Sequence, residues 1–339
     1  MKHSSFFWFV LPSTVLMLLF IAMPIISVVT QSFYIAHEQV IIEVENCGPF
    51  GCTQETSVDQ EATAALNEAA PLGQFAGFDV YTDRNHLAFD EVATAWVNTD
   101  GLLDFGRSLM NLSFYKALGF TLTYTAIVTP LTIILGFLIA IAVNAVAKAL
   151  RGPTIFFSLL PMIVTPLVGS LIIFWMVDAR GVLGAVLQWL ADDPDLSVKA
   201  STALMWVMLM VYGVWHASPF AFVVFYAGLQ TVNSDTLESA MVDGATRWER
   251  IRFVVVPHLM PLVTFVALIQ LMDNFRVFEP IISFQAAAHA TSLSSAIFND
   301  LGGETRLLSS AAATSVLTII GIGILLSPVL VRTWRDFNR

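Results

Sequence analysis

Apolar residues gather in six long blocks, at 6–29, 118–143, 154–177, 202–229, 259–284 and 309–331, separated by polar stretches of unequal length. Each block reaches the roughly 20 residues that an α-helix needs to cross a bilayer core. The pattern predicts an all-α integral membrane protein with six transmembrane helices. Pro24, Pro130, Gly136, Pro161, Pro166 and Pro219 fall inside the blocks. In a soluble helix each proline would cost about 3 kcal/mol, but neighbouring membrane helices can satisfy the freed carbonyls. The close pair Pro161 and Pro166 predicts a third span that is bent. The first block is too long for a secretory signal core of roughly 7–15 residues and lacks a small-residue cleavage site. A retained first span is expected.

Composition agrees with the blocks. Of 339 residues, 56% are hydrophobic and 12% charged, with a mean hydropathy of +0.74. A soluble domain carries roughly twice that share of charge. The net charge of −10 is local, because Tyr34–Lys116 holds 13 acidic residues against Arg84, Arg107 and Lys116. The remainder is neutral, so no basic surface points to nucleic acid.

The bases also set a direction. Placing the N-terminus inside puts Lys2, Lys148, Arg151, Arg247, Arg250, Arg252, Arg332, Arg335 and Arg339 on the cytoplasmic side, and leaves Asp192, Asp193 and Asp195 outside. This is the positive-inside bias of an inner (plasma) membrane protein. Both termini are then expected in the cytoplasm. The expected organisation is an N-terminal transmembrane helix at 1–33, an external acidic insert at 34–116 and a core of five further helices at 117–339. Within the insert, CGPFGC puts Cys47 and Cys52 on either side of a turn. An oxidising exterior favours a disulfide there. A free pair is the next reading, and a metal site comes last because two cysteines without a nearby histidine supply too few ligands.

The cytoplasmic loop between the fourth and fifth spans, 233–257, reads as two short helices around a turn. Asp235 is expected to cap the first helix, with Glu238 three residues on in a capping-box position. Asp243-Gly244 marks the turn, where glycine can adopt positive φ. A second amphipathic stretch carries Trp248, Ile251 and Val255, and Pro257 is expected to start the next span. The string E-x-A-x-x-D-G-A, with Pro257 twelve residues after Ala245, resembles the loop of binding-protein-dependent ABC importer permeases. YAGLQTV before the loop, Trp215, the third-span run from LRGPT to FWM, and FRVFEPI are similar to the carbohydrate-type permeases. Where many sugar permeases carry Gly-Gly-Pro after the fifth span, this chain has QAAAHAT.

The resemblance implies a coupling helix seated in an ATP-hydrolysing subunit, formed by Glu238, Ala240, Asp243, Gly244 and Ala245. It also implies a second permease subunit (a different chain, given the asymmetric insert), two ATP-binding cassette subunits and a periplasmic solute-binding protein. The chain contains no G-x-x-x-x-G-K-[ST] loop, so ATP and Mg are expected on the partner subunits. No cofactor, metal or catalytic residue is expected here, and the solute is expected to be a sugar or sugar derivative. An ABC permease for a polyamine or amino acid is the alternative within the family. A secondary transporter would show inverted repeats, and a membrane enzyme would show a motif such as HExxH or GxSxG; neither pattern is found.

Asp273, Asn274, Arg276 and Glu279 lie within the fifth apolar block. An ionisable group at the membrane centre costs about 2.5–3.5 kcal/mol, so the cluster needs a reason. Arg276 and Glu279, one helical step apart, can neutralise each other. Equally, the group can face a solute pathway, where an arginine would receive an anionic group such as a phosphate or sulfonate. Tyr212, His216 and Trp175 are candidates for stacking against a sugar ring, although each is also an ordinary packing residue.

Overall fold

The computed structural model describes residues 3–48, 51–302 and 307–337. Among the described residues, five helices are long and apolar enough to cross a membrane: Phe6–Gln31, Ser113–Ala145, Thr202–Leu229, Arg247–Phe275 and Leu308–Arg335. The sixth apolar segment is a broken pair, Lys148–Ile163 and Pro166–Met176, bent by 96°. The break falls where the residue before a proline is pushed out of the helical region: Val164 and Thr165 are extended, and Pro166 opens the second half.

The fifth span differs from its expected 259–284. The helix that carries it begins earlier, at Arg247, and runs through Pro257 behind a π-helical turn at Ile251–Val255. The wider turn gives the proline ring room against the preceding carbonyls. The helix ends at Phe275. Arg276, Val277 and Phe278 leave it, and Pro280 starts a separate helix, Glu279–Ser283, from its first turn.

Two compact units are present. The first comprises Met1–Tyr115 and Ala296–Ile319. Its insert pairs Ile41–Gly48 with Gly51–Val58 as an antiparallel hairpin, with Cys47 opposite Cys52 in the register. The side chains of residues 44–55, and with them the expected disulfide, lie outside the described residues. Asp59 caps the helix Gln60–Ala69, accepting from the backbone N–H groups of Glu61 and Ala62 at 3.0 Å. Val80, Tyr81 and Ala313 form a small core with Phe33, Leu87, Val316 and Leu317 around it. The imidazole Nε2 of buried His86 lies 3.2 Å from the carbonyl of Ser310. Those contacts bring 296–319, read from sequence as part of the core, into the unit of the insert.

The second unit comprises Lys116–Ser295 and Ile320–Arg339. Gly136 lets the second and fourth spans touch, since a Cβ there would sit 2.5 Å from that of Ala221 and 2.8 Å from the backbone N of Phe222. Close approach through small residues is the usual packing device between helices in lipid. The Arg151 guanidinium donates to the carbonyls of Val146 and Asn144, which the end of the second span leaves free. Beyond the third span, Lys199 Nζ lies 2.6 Å from Asp178 Oδ2 and 3.4 Å from the centre of the Phe174 ring. The hydrogen bond from Lys199 holds the Asp178 carboxyl below its usual range. A lowered carboxylate stabilises the fold above its unfolded pKa, and that contribution fades only as pH falls through the folded one. The latch is therefore intact at neutral pH.

Candidate functional site

A polar cavity of about 600 Å³ lies within the second unit, walled by the second, third, fourth and fifth spans. Tyr124 comes from the second span, Tyr212 and His216 from the fourth, and Gln270, Asp273 and Asn274 from the fifth; Arg276 and Glu279 follow its end. Tyr124, Tyr212, Gln270 and Asn274 are all buried. Three of them have identifiable supports. Tyr212 Oη donates at 2.7 Å to the carbonyl of Pro166, the first residue after the bend in the third span, which also accepts from Ser170 Oγ. Asn274 Nδ2 donates to Thr129 Oγ1 at 3.0 Å, tying the fifth span to the second. Gly213 is required where Tyr124 crosses the fourth span, because a Cβ there would collide with the phenol oxygen. The rings of Tyr212 and His216 lie 5.7 Å apart, and His216 Nε2 has no hydrogen-bond partner.

The charges pair differently from the sequence expectation. Arg276 donates to Asp273 Oδ1 at 2.9 Å, and both side chains are about half exposed. Glu279 forms no ion pair among the described residues. The helix end explains the choice: Asp273 sits in the last turn beneath Arg276, whereas Glu279 lies beyond the break. The cavity wall thus carries one neutral pair and one further carboxylate. Trp175 is not part of the wall. It is 63% exposed and packs edge-on against Phe174.

A second feature is the loop between the fourth and fifth spans. Its first helix, Ser234–Val242, is capped by Asn233, which accepts from the N–H of Asp235 at 2.9 Å. The cap is therefore not Asp235, and Glu238 takes no part in it. At the other end Gly244 has φ +81°. Its N–H donates to Met241 O at 3.0 Å, and the Ala245 N–H donates to Ala240 O at 2.9 Å. This is a Schellman closure, in which the left-handed residue turns the chain back to meet the last free carbonyls. Ala240 and Ala245 are the residues it joins. The capping box lies further on: Thr246 Oγ1 accepts from Glu249 N at 3.3 Å, and Glu249 Oε2 accepts from Thr246 N at 2.7 Å. T-x-x-E at 246–249 is a readable sign of it. The two helices are thus joined by a turn fixed at both ends. Its surface includes Val242 at 88% and Trp248 at 67% exposure. Beside them, Asp235, Glu238, Ser239, Val242 and Asp243 line a shallow groove of about 410 Å³.

A helical membrane protein with a polar cavity among its spans and a doubly capped loop between two of them has the architecture of a transport permease. Residues 132–335 match the sequence profile of the binding-protein-dependent transport system inner membrane component. The chain belongs to that family, whose members are the permease subunits of ABC transporters. It is 27% identical to the inner membrane ABC transporter permease YcjO of Escherichia coli K12, over 67% of this chain and 77% of that one. It is also 27% identical to the trehalose transport system permease SugA of Mycobacterium tuberculosis, over 65% and 69%. Identity to the sn-glycerol-3-phosphate permease UgpA of Rhizobium meliloti is 26%, over 66% and 77%. A crystal structure of a bacterial ABC transporter that imports the acidic polysaccharide alginate shares the fold, with a TM-score of 0.60 and 21% identity over 74% of this chain and 90% of that chain.

Proposed function

We propose that this chain is one of two permease subunits in an ATP-driven importer for a sugar or sugar derivative, handed over by a solute-binding protein. The observation that carries the reading is the cavity. Phenol, amide and carboxylate groups lie among apolar spans, the set that hydrogen-bonds the hydroxyls of a polyol. The trehalose and glycerol-3-phosphate systems among the relatives support the same solute class. Asp273, Asn274, Arg276, Glu279, Tyr212 and His216 are the proposed pathway residues. With Arg276 neutralised by Asp273 and Glu279 left over, this wall favours an uncharged solute over an anionic one. In this reading the second permease, a different chain, closes the pathway. Two ATP-binding cassette subunits carry ATP and Mg, and Glu238, Ala240, Asp243, Gly244 and Ala245 present the turn that receives their stroke.

The test is solute uptake by the complex reconstituted in vesicles. Uptake is expected only with ATP, the ATPase subunits and the loaded binding protein. Uptake driven by an ion gradient without ATP would overturn the reading.

The same reading places the loop at 233–257 in the cytoplasm and the insert outside. In a chain with Cys47 and Cys52 replaced by serine, Asp59→Cys is expected to react with an impermeant thiol reagent added outside intact cells. Arg247→Cys is expected to react only after the cells are opened. Reversed labelling would invert the topology.

A further inference from the structure

The helical hairpin that ends the insert has its polarity arranged the wrong way round for water. Its arms are Phe89–Asn98 and Leu102–Leu109. Along the first arm Phe89, Trp96 and Val97 follow helical spacing and are 55%, 60% and 81% exposed. On the second arm Leu102 and Leu103 are 77% and 83% exposed, and Met110, just past its end, is 48% exposed. The polar side chains lie along the groove between the arms instead. About 550 Å³ in volume, it is lined by Asp90, Glu91, Thr94, Asn98, Thr99 and Ser108, together with Ala95 and Leu112. Trp96 and Phe105 touch edge to face at 5.1 Å, so the arms are joined as one piece. A water-soluble hairpin buries its apolar stripe and exposes its polar one. Here both stripes are turned outward.

We propose that this hairpin lies in the membrane interface, its outward stripes set among the lipids of the leaflet where the second span begins. Chain continuity supports lipid as the occupant. Only Met110, Asn111 and Leu112 separate the second arm from the span that starts at Ser113. Four residue steps reach at most about 14 Å, so Leu109 cannot leave the neighbourhood of the span's first turn. An apolar face with tryptophan among leucines, backed by a polar face, is the composition of helices that lie in the headgroup and upper acyl region. Asp104 lies off the leucine stripe of the second arm, while Arg107, one turn beyond Leu103, borders it. The two are paired at 3.2 Å and well exposed, so the arginine stem can follow the apolar stripe while both charges stay in contact with water. The hairpin then anchors the acidic insert flat on the bilayer beside the entry to the second span.

The experiment uses the full complex in lipid vesicles, with Cys47 and Cys52 replaced by serine. A bimane fluorophore is attached at Leu103→Cys in one sample and at Asp104→Cys in another. Each is quenched by a lipid nitroxide placed near the headgroup, and separately by aqueous iodide. The expected result is strong lipid quenching and loss of iodide quenching at position 103, with the reverse order at 104. Equal iodide quenching at both positions would overturn the proposal. So would a position 103 shielded from both quenchers, which would mean that another protein surface covers the hairpin. The double variant Leu102→Gln, Leu103→Gln provides a second reading. Its insert is expected to become more accessible to protease in vesicles while the complex stays assembled; unchanged accessibility counts against the anchor.

Discussion

Gly244→Val is expected to abolish solute-stimulated ATP hydrolysis in the assembled transporter while membrane insertion of the chain is unchanged. The reason lies in the backbone. Gly244 has φ +81°, and a Cβ built on it meets nothing within 4 Å. A side chain there is strained by conformation and not by collision. Holding a non-glycine residue in the left-handed region costs about 1–2 kcal/mol, and a β-branched one suffers most. The strain releases when the turn opens, and opening breaks the bonds from Gly244 to Met241 and from Ala245 to Ala240. The helix Ser234–Val242 then loses its fixed direction relative to Thr246, the start of the next helix. Asparagine adopts the left-handed region readily, so Gly244→Asn is expected to retain most of the stimulation. The contrast between the two variants isolates the turn from any effect of added bulk. Wild-type stimulation in Gly244→Val would remove the loop from the coupling path.

This turn was legible from sequence because a Schellman closure is local. Asp-Gly after a helical stretch carries the needed φ, and the small residues at 240 and 245 allow the closing contact. The caps were legible in kind but not in place. Asn233, Ser234 and Asp235 stand in a row, and any of the three can cap a helix. Which one does so depends on where the fourth span releases the chain, and that is decided by tertiary packing. Hydropathy found the spans but misplaced the end of the fifth. The apolar run continues to Phe284, whereas the helix stops at Phe275 because the backbone is redirected. Asn274 is tied to Thr129, and Ser292 Oγ donates to the carbonyl of Val277 at 2.6 Å. These partners are 145 and 15 residues away along the chain, distances that a periodicity cannot register. The same helix end decided the ion pair. From sequence, Arg276 is equally three residues from Asp273 and from Glu279, and only the break makes one of them a neighbour. Trp175 lies outside the cavity wall for a related reason, since a bend of 96° reorients one half of a span relative to the other.

Arg276→Gln is expected to cut solute uptake severely, and Asp273→Asn in the same chain is expected to restore much of it. Removing the guanidinium leaves Asp273 and Glu279 as two unmatched carboxylates in a cavity edged by apolar spans. A like-charge pair of this kind repels, holds counterions and disturbs the polar wall that a neutral solute must cross. Adding Asp273→Asn removes the stranded partner and returns the wall to the single carboxylate it has in the native chain. The pair is about half exposed, so solvent screening limits its direct coupling to roughly 0.5–1 kcal/mol, about two- to fivefold in an equilibrium. Most of the expected loss therefore comes from the uncompensated charge and not from the missing contact. Glu279→Gln combined with Arg276→Gln also returns the formal charge to −1 at this cluster, but leaves the carboxylate of Asp273 without its hydrogen-bond partner. Rescue by Asp273→Asn should therefore exceed rescue by Glu279→Gln, and uptake in the two double variants measures the difference. Equal rescue would mean that only the net charge matters, and better rescue through Glu279 would show that the working pair is Arg276 with Glu279. If neither double variant recovers while both assemble normally, the guanidinium itself meets the solute. The uncharged-solute reading would then give way to an anionic one.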